Sequence, residues 1–480
     1  MRSSGASATL GSLLPMTDPQ TSPASGASTP SDVTAVRDRV AGLMPGLVTD
    51  LQTLVGIPSV AFPGFPSEPV DAMAGAVVDL LQRSGADDAR LLEIPGGYPA
   101  VYATVPGPPG APTVLLYAHY DVQPAPPEQG WDTDPWVATT KDDGRIYGRG
   151  AADDKSGLVI HAGTLQALLP DPPVNIVLLI EGEEETISHL EEFVEAHPEL
   201  VQCDAFVIAD MGNQEVGRPA LTTALRGDVS LTVTVRALDH PVHSGLFGGA
   251  VPDALIALIR MLATLHDDAG DTVVPGVSSG EWSGADLDEP QLRESAGLLD
   301  GVSFVGTGTL ATRLWAKPSA TVIGIDAPTV AHASNVLIPE ATAKVSMRVV
   351  PGTDPDRDLD ALIAHLESVA PWGVQVEIQR VKTGWPFAVD MDGAAVRAAE
   401  SALSDVFGRE VETIGSGGSI PLINTLKQAC PRADVILWGA EDTALARIHA
   451  SNESVDPAEI ERMVAAQVVA LQRLGTAARQ

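Results

Sequence analysis

Four short, almost uninterrupted apolar runs constrain this chain more than any other feature: Thr113–Ala118, Asn175–Ile180, Ala205–Ala209 and Val435–Trp438. Each is of strand length, and none shows the apolar–polar alternation of a strand with one wet face. They therefore belong in the middle of a sheet covered on both sides. A helical stretch from Ser156 to Leu168, stopped before Pro170, separates the first two runs, and an amphipathic helix is expected from about Val33 to Leu54. Strands alternating with helices in this way predict an α/β domain built on a mostly parallel sheet flanked by helices.

The pattern changes at Gly227. Val229, Leu231, Val233 and Val235 alternate with Ser230, Thr232, Thr234 and Arg236, as in a strand with one exposed face. A helix opening at Pro252 and ending near His266 follows, then strands at Ala320–Asp326 and Ala343–Val350, a helix at Asp358–Ser368 and a strand at Val374–Val381. This β-α-β-β-α-β order predicts a ferredoxin-like α+β insertion over residues 226–384. It would divide the main domain into parts at 32–225 and 385–480. Residues 278–300 read as a loop excursion within the insertion, and residues 1–31, rich in Ser, Ala, Thr, Pro and Gly, as a disordered leader, with Met16 a candidate start.

The 480 residues carry 63 acidic against 29 basic side chains, a formal charge of −34. Such a field repels phosphate backbones and anionic membranes, which argues against nucleic-acid and membrane partners. Two cysteines, Cys203 and Cys430, cannot make a disulfide framework and suit a reducing compartment, and no apolar run nears the length of a membrane span. A soluble cytoplasmic protein acting on small molecules is expected.

Ligands of open α/β sheets bind beyond the carboxyl ends of the strands. The residues found there are all metal-ligand types. His119 and Asp121 follow the first run, Glu183, Glu184 and Glu185 the second, Asp210 the third, and His449 lies a short loop beyond the fourth. Asp153 and Asp154 stand immediately before the helix at Ser156. One such His is more often structural, and a Glu run is more often a solvated face. Two His and several carboxylates at one sheet edge are different, because they cannot be buried without positive compensation, which a pair of divalent cations supplies. Mixed His and carboxylate donors without Cys suit zinc or a similar first-row metal. Gly148 to Ser156 is no phosphate loop, since Arg149 and Asp154 stand where glycines are needed and two carboxylates would repel a phosphate. Gly415-Ser-Gly-Gly-Ser419 alone predicts a tight turn.

Taken in order, His119-Tyr-Asp-Val-Gln-Pro124, Tyr147-Gly-Arg-Gly-Ala-Ala-Asp-Asp-Lys155, Glu181-Gly-Glu-Glu-Glu185, Asp210, His243-Ser-Gly245 with Gly248-Gly249, Ser334-Asn-Val-Leu-Ile-Pro339, Arg348, Gly417-Gly-Ser-Ile-Pro421 and His449-Ala-Ser-Asn-Glu453 resemble a known family. It is that of the co-catalytic zinc peptidases, which includes carnosinase-type dipeptidases, glutamate carboxypeptidase, aminoacylase and succinyl-diaminopimelate desuccinylase. The cytosolic dipeptidase branch is the most similar. The resemblance implies that Asp153 bridges two divalent ions, most readily Zn2+ with Mn2+ or Co2+ as alternatives. His119 and Asp210 would complete one site, Glu185 and His449 the other. It makes Glu184 the general base, gives Asp121 the task of orienting His119, and implies a cis peptide between Asp153 and Asp154. His243, delivered by the partner subunit in dimeric relatives, would polarise the substrate carbonyl, with His240 its competitor. Arg348 would grip a terminal carboxylate, with Asn335, Gly418 and Ser419 adding hydrogen bonds.

Two departures stand out. Thr186-Ile187-Ser188 replaces a usual Gly-Ser turn, and Gly415-Ser416 replaces an Arg-Glu pair of several relatives, removing a potential substrate-binding cation. The expected function is hydrolysis of dipeptides with a free C-terminal carboxylate by a homodimer that pairs through its insertion, which would serve as a lid. An N-acyl-amino-acid or N-succinyl-diaminopimelate deacylase is the alternative, and a non-catalytic dimeric binding protein a remote one. His161, His189, His197, His266, His332 and His365 match no ligand motif and are expected to be structural or exposed.

Overall fold

The computed structural model describes residues 30–418 and 420–477. The expected leader lies almost wholly outside them, and so does Ser419. Helices α1 (Pro30–Val55) and α2 (Glu68–Arg83) lead into strands β1 (Arg90–Leu92), β2 (Ala100–Val105) and β3 (Thr113–His119). Next come α3 (Lys155–Leu168), β4 (Asn175–Glu181), β5 (Ala205–Ile208) and β6 (Ala220–Leu225). The middle of the chain forms β7 (Gly227–Arg236), α4 (Ala254–Ala263), β8 (Ser319–Asp326), β9 (Glu340–Val349), α5 (Pro355–Ser368) and β10 (Gln375–Gly384). The chain closes with α6 (Ala394–Phe407), β11 (Glu412–Ser416), α7 (Pro421–Ala429), β12 (Asp434–Leu437) and α8 (Pro457–Ala477).

The main sheet has the order β1-β2-β4-β3-β5-β12. Its four strands from β4 to β12 are parallel, whereas β1 and β2 add an antiparallel edge. The apolar runs are these four parallel strands, and their lack of alternation has a simple cause. Val114, Leu116 and Ala118 enter the core beneath α1, α3, α6 and α8, while Leu115 and Tyr117 enter a second core against α7. The period of two is present, but both faces are dry.

Residues of the middle segment form a second sheet, antiparallel throughout, in the order β8-β9-β7-β10. Val229, Leu231, Val233 and Val235 are fully buried beneath α4 and α5, in a core distinct from the two around the main sheet. Asp253 and Asp354 cap these helices by accepting backbone N–H groups of Ile256 and of Asp356 and Arg357. The expected loop at 278–300 contains one short helix, Glu289–Ser295, which Asp288 caps; Pro290 follows at a position where a missing N–H costs nothing. Strand β6 pairs with β11 and with Phe387–Ala388 in a third, small sheet, and Arg226 is the single residue between it and β7 of the second sheet. Among the described residues no helix is long and apolar enough to cross a membrane.

Helix α3 is buried along almost its whole length and carries His161 into the core. There Nε2 donates to the carbonyl of Tyr117 at 2.9 Å, and Nδ1 accepts from Gln467 of α8 at 3.0 Å. This network suits a neutral ring, and burial pushes the imidazole down to about 4 from 6.5. The unfolded chain therefore takes up the proton first. The stabilisation is full above about pH 6.5 and is lost as pH falls from there through about 4, to a limit of roughly 3 kcal/mol. His161→Gln should flatten the fall of melting temperature between pH 6.5 and 4.5; a slope equal to that of the wild type would remove His161 from the acid response.

Candidate metal centre

The carboxyl edge of the parallel strands gathers the predicted ligands because the strands are in register. His119 ends β3 opposite Glu181, which ends β4. Tyr117 pairs with Ile208, so Asp210, two residues on, comes level with His119. Leu437 of β12 pairs with Ile208 in turn, which brings the segment after β12 alongside. That crossing is tight, since a Cβ on Gly439 would lie 1.9 Å from the carbonyl oxygen of Met211.

Asp153 lies at the centre. Its Oδ1 is 2.9 Å from Nε2 of His119, and its Oδ2 is 2.9 Å from Nε2 of His449. Asp210 Oδ1 stands 3.6 Å from His119 Nε2, and Glu185 Oε2 stands 3.2 Å from His449 Nε2. Donor atoms of His119, Glu184 and Asp210 lie within 4.8 Å of one another, as do those of Asp153, Glu185 and His449. The expected ligand residues thus come together as two groups on either side of one carboxylate, with Glu184 beside the first.

Charge explains what the arrangement demands. Burial, reinforced by Asp210 and neighbouring carboxylates, holds the Glu184 carboxyl well above the usual range, and burial pushes Asp210 up to about 6. Burial works against a charged His119, yet hydrogen bonds to Asp121, Asp153 and Asp210 outweigh it and raise the imidazole; bonds to Asp153 and Glu185 raise His449 to about 10. The pocket holds more negative charge than its side chains balance, and its donors are the mixed imidazole and carboxylate type that suits a pair of divalent cations. By donor chemistry and spacing, the residues fit such a pair.

Surrounding groups fix the ligands. Asp121 accepts the backbone N–H groups of Glu184 and Glu185 at 3.0 and 3.1 Å, and its backbone carbonyl lies 3.1 Å from His119 Nδ1. One aspartate thereby orients an imidazole and positions the Glu pair. Gln123 donates to Glu185 Oε2 at 2.7 Å. The peptide bond between Asp153 and Asp154 is cis, as the resemblance implies.

The roles of Asp154 and Glu453, and Glu441 altogether, escape the sequence reading. Asp154 caps α3 through the N–H of Gly157 and accepts the N–H of His119. Glu441, close to Asp153 and Asp210, forms a third carboxylate-rich group with them. It follows the fourth apolar run, so the rule that found Asp210 could have found it. Glu453, fully buried, accepts from the backbones of Gly150, Ala152 and Asp153 at 3.0–3.1 Å and from Arg149 Nη1 at 2.7 Å. No local pattern announces that role. Lys155 donates to the carbonyls of Leu54 and Ile57 at the end of α1, which accounts for the false phosphate-loop signature.

The other predicted residues lie on the second sheet or near it. His243 is exposed on a two-residue strand paired with Val336–Leu337, and its Nδ1 accepts from Gly245. Asn335, also exposed, accepts the N–H of Ser244 through its carbonyl. Neither belongs to the ligand groups found among the described residues. His240 is exposed as well. Arg348 sits on β9 opposite Asp228, and Gly418 is exposed, donating to Ser416 Oγ at 3.1 Å.

Fold and site together define a metal-dependent hydrolase. The model of peptidase family M20/M25/M40 matches residues 115–473, and the chain belongs to that family. The cysteinylglycine-S-conjugate dipeptidase of Corynebacterium striatum is 40% identical over 365 residues, which cover 74% of this chain and 80% of that protein. The structure of human carnosine dipeptidase 1 superposes with a TM-score of 0.75 at 27% identity, covering 92% of this chain and 99% of the other. That of the yeast dipeptidase Dug1p has a TM-score of 0.77 at 24% identity, covers 93% and 99%, and shows the same fold.

Glu453→Gln keeps the shape but cannot accept all four hydrogen bonds. Metal affinity should fall about 10- to 100-fold, as for other residues that orient ligands. Competition against a graded series of chelators measures it, and unchanged affinity would show that Glu453 does not hold the Asp153 loop.

Proposed function

We propose that this chain is a metallodipeptidase hydrolysing the amide bond of dipeptides with a free C-terminal carboxylate, with two divalent ions, most readily zinc, held as the sequence resemblance implies. The observation that carries this reading is the Asp153 carboxylate, one oxygen directed to His119 and the other to His449. His119, Asp153 and Asp210 would hold one ion, and Asp153, Glu185 and His449 the other. Bound there, the pair supplies Lewis-acid activation of water and of the scissile carbonyl.

The chain's own residues do the rest. Glu184 takes the proton of the attacking water and passes it to the leaving amine. Asp121 keeps Glu184 and His119 in place through the contacts described above. A cavity of about 330 Å³ beside Glu184 is lined by Tyr117, Glu181, Ser188, Lys382 and Ile420 among others. Lys382 comes from β10 and Ile420 from the segment before α7, so both sheets face the site. The bacterial and human relatives are named as dipeptidases, which supports the substrate class.

The division into a catalytic domain, 32–225 with 385–480, and an inserted lid and dimerisation domain, 226–384, is part of the same proposal. Val322, Ile323 and Ile325 are exposed on β8, an edge strand, and Ile256 and Ile259 are exposed on α4. Apolar residues along an unpaired edge suit a homodimer contact. The exposed His243 would then act on the partner's site, and Arg348, with Asn335, Gly418 and Ser419, would receive the substrate carboxylate. Two free cysteines suit a cytoplasmic location.

Glu184→Gln should lower kcat on dipeptides by about 10²- to 10⁴-fold while both metals stay bound. Elemental analysis beside turnover checks this, with N-acetyl and N-succinyl amino acids as control substrates. Full turnover in the variant would sink the assignment. In the dimer, His243→Ala should also be nearly inactive, and mixing it with the Glu184→Gln protein should restore activity, because one hybrid site has both groups. No restoration after confirmed subunit exchange, or a fully active monomer in sedimentation, would rule out the action of His243 across subunits.

A further inference from the structure

Arg226 is the junction between β6 of the small third sheet and β7 of the second sheet, and is 8% exposed. Its backbone N–H donates to the carbonyl of Ser416 at 3.1 Å, and its guanidinium lies against the glycine loop, where a Cβ on Gly417 would come within 2.9 Å of Nη2. Nε and Nη1 are buried without a protein hydrogen-bond partner, and among the described residues no carboxylate forms an ion pair with this side chain.

The neighbouring charge makes the position stranger. Arg226 and Asp228 project to the same side of the chain, and Arg348 pairs across the ladder with Asp228, so the two arginines are diagonal neighbours. Asp228 does not neutralise them: its Oδ1 accepts from Ser346 at 2.7 Å, and its Oδ2 lies 3.8 Å from Lys382. Burial first, and Arg348 second, push the Arg226 guanidinium down to about 10. A buried cation facing a second cation, in a chain with twice as many acids as bases, calls for an anion as the missing partner.

We propose that Arg226 is a second guanidinium of the substrate-carboxylate site, its unpartnered N–H groups donating to a carboxylate shared with Arg348. This deepens the dipeptidase reading and rests on it for the identity of the anion. A planar guanidinium with unpartnered N–H donors suits a carboxylate. The proposal also answers a departure in the sequence. The loop at Gly415-Ser416 lacks the cation of several relatives, and here Arg226 brings one to the same loop from a different strand. The substrate's carboxylate would then join the junction, β9 of the second sheet and the glycine loop of the main body.

The test compares L-alanylglycine with L-alanylglycinamide, which differ only in the carboxylate, for the metal-loaded wild type, Arg226→Gln and Arg226→Lys. For Arg226→Gln the expected result is a fall in kcat/KM on the acid of about 10- to 100-fold, mainly through KM. Its acid-to-amide preference should shrink by nearly the same factor, with Arg226→Lys in between. Equal losses on both substrates, at unchanged metal content, would make Arg226 structural and overturn the proposal, and so would no loss on either. Titration of glycine, the product that keeps the dipeptide's own C-terminal carboxylate, into wild type and Arg226→Lys by calorimetry gives a second reading that does not depend on turnover. Weaker binding to the variant supports the site; equal binding, or none to either, overturns it. A wild type that cleaves neither peptide yet binds glycine through Arg226 would refute the dipeptidase reading alone.

Discussion

The carboxylate of Asp153 is where the structure converges, because both imidazoles reach it and each takes a different oxygen. An acid in that position cannot choose its own geometry. Its backbone is held by Glu453, which accepts three successive or nearly successive N–H groups of the loop while Arg149 offsets its charge. Removing either member of this buried pair would leave an uncompensated charge beside the ligands, which costs more than the pair contributes when intact. The C-terminal part of the chain therefore shapes the centre twice, through His449 against Asp153 and through Glu453 as the clamp of the Asp153 loop.

The same logic runs through the ring of groups around the ligands. Asp121 and Asp154 are both fully buried and both engage backbone N–H groups, so their charge is spent on orientation. Among the described residues Glu184, Asp210 and Glu441 have no such backbone partners, and burial raises all three, as it raises Asp154 and Glu453. The difference in hydrogen-bond partners separates carboxylates that arrange the site from carboxylates left to meet a cation or a proton. It is the physical basis for reading the edge of the sheet as a metal centre.

The second sheet has its own core, yet it faces the same chemistry through two basic side chains. Lys382 lines the cavity beside Glu184, and Arg348 lies diagonal to Arg226 at the junction. On the proposed reading, an anionic end of the substrate would meet these cations and so connect the second sheet to the main body.

Much of this was legible in the sequence. The doubly buried strands, the alternating strand at Val229 to Val235 and the ligand types after each run are local patterns, set by periods of two and 3.6 and by the chemistry of side chains at strand ends. The motifs in their order added the assignment of ligands, down to the cis bond at Asp153. What tertiary structure alone decided are the partnerships between residues far apart in the chain: Glu453 with Arg149, Glu441 with Asp210, Arg226 with Arg348 and the glycine loop. These depend on strand register and on where the chain closes after β12. Local periodicity carries no information on either, because a side chain's partner there is chosen by the packing of whole sheets and helices.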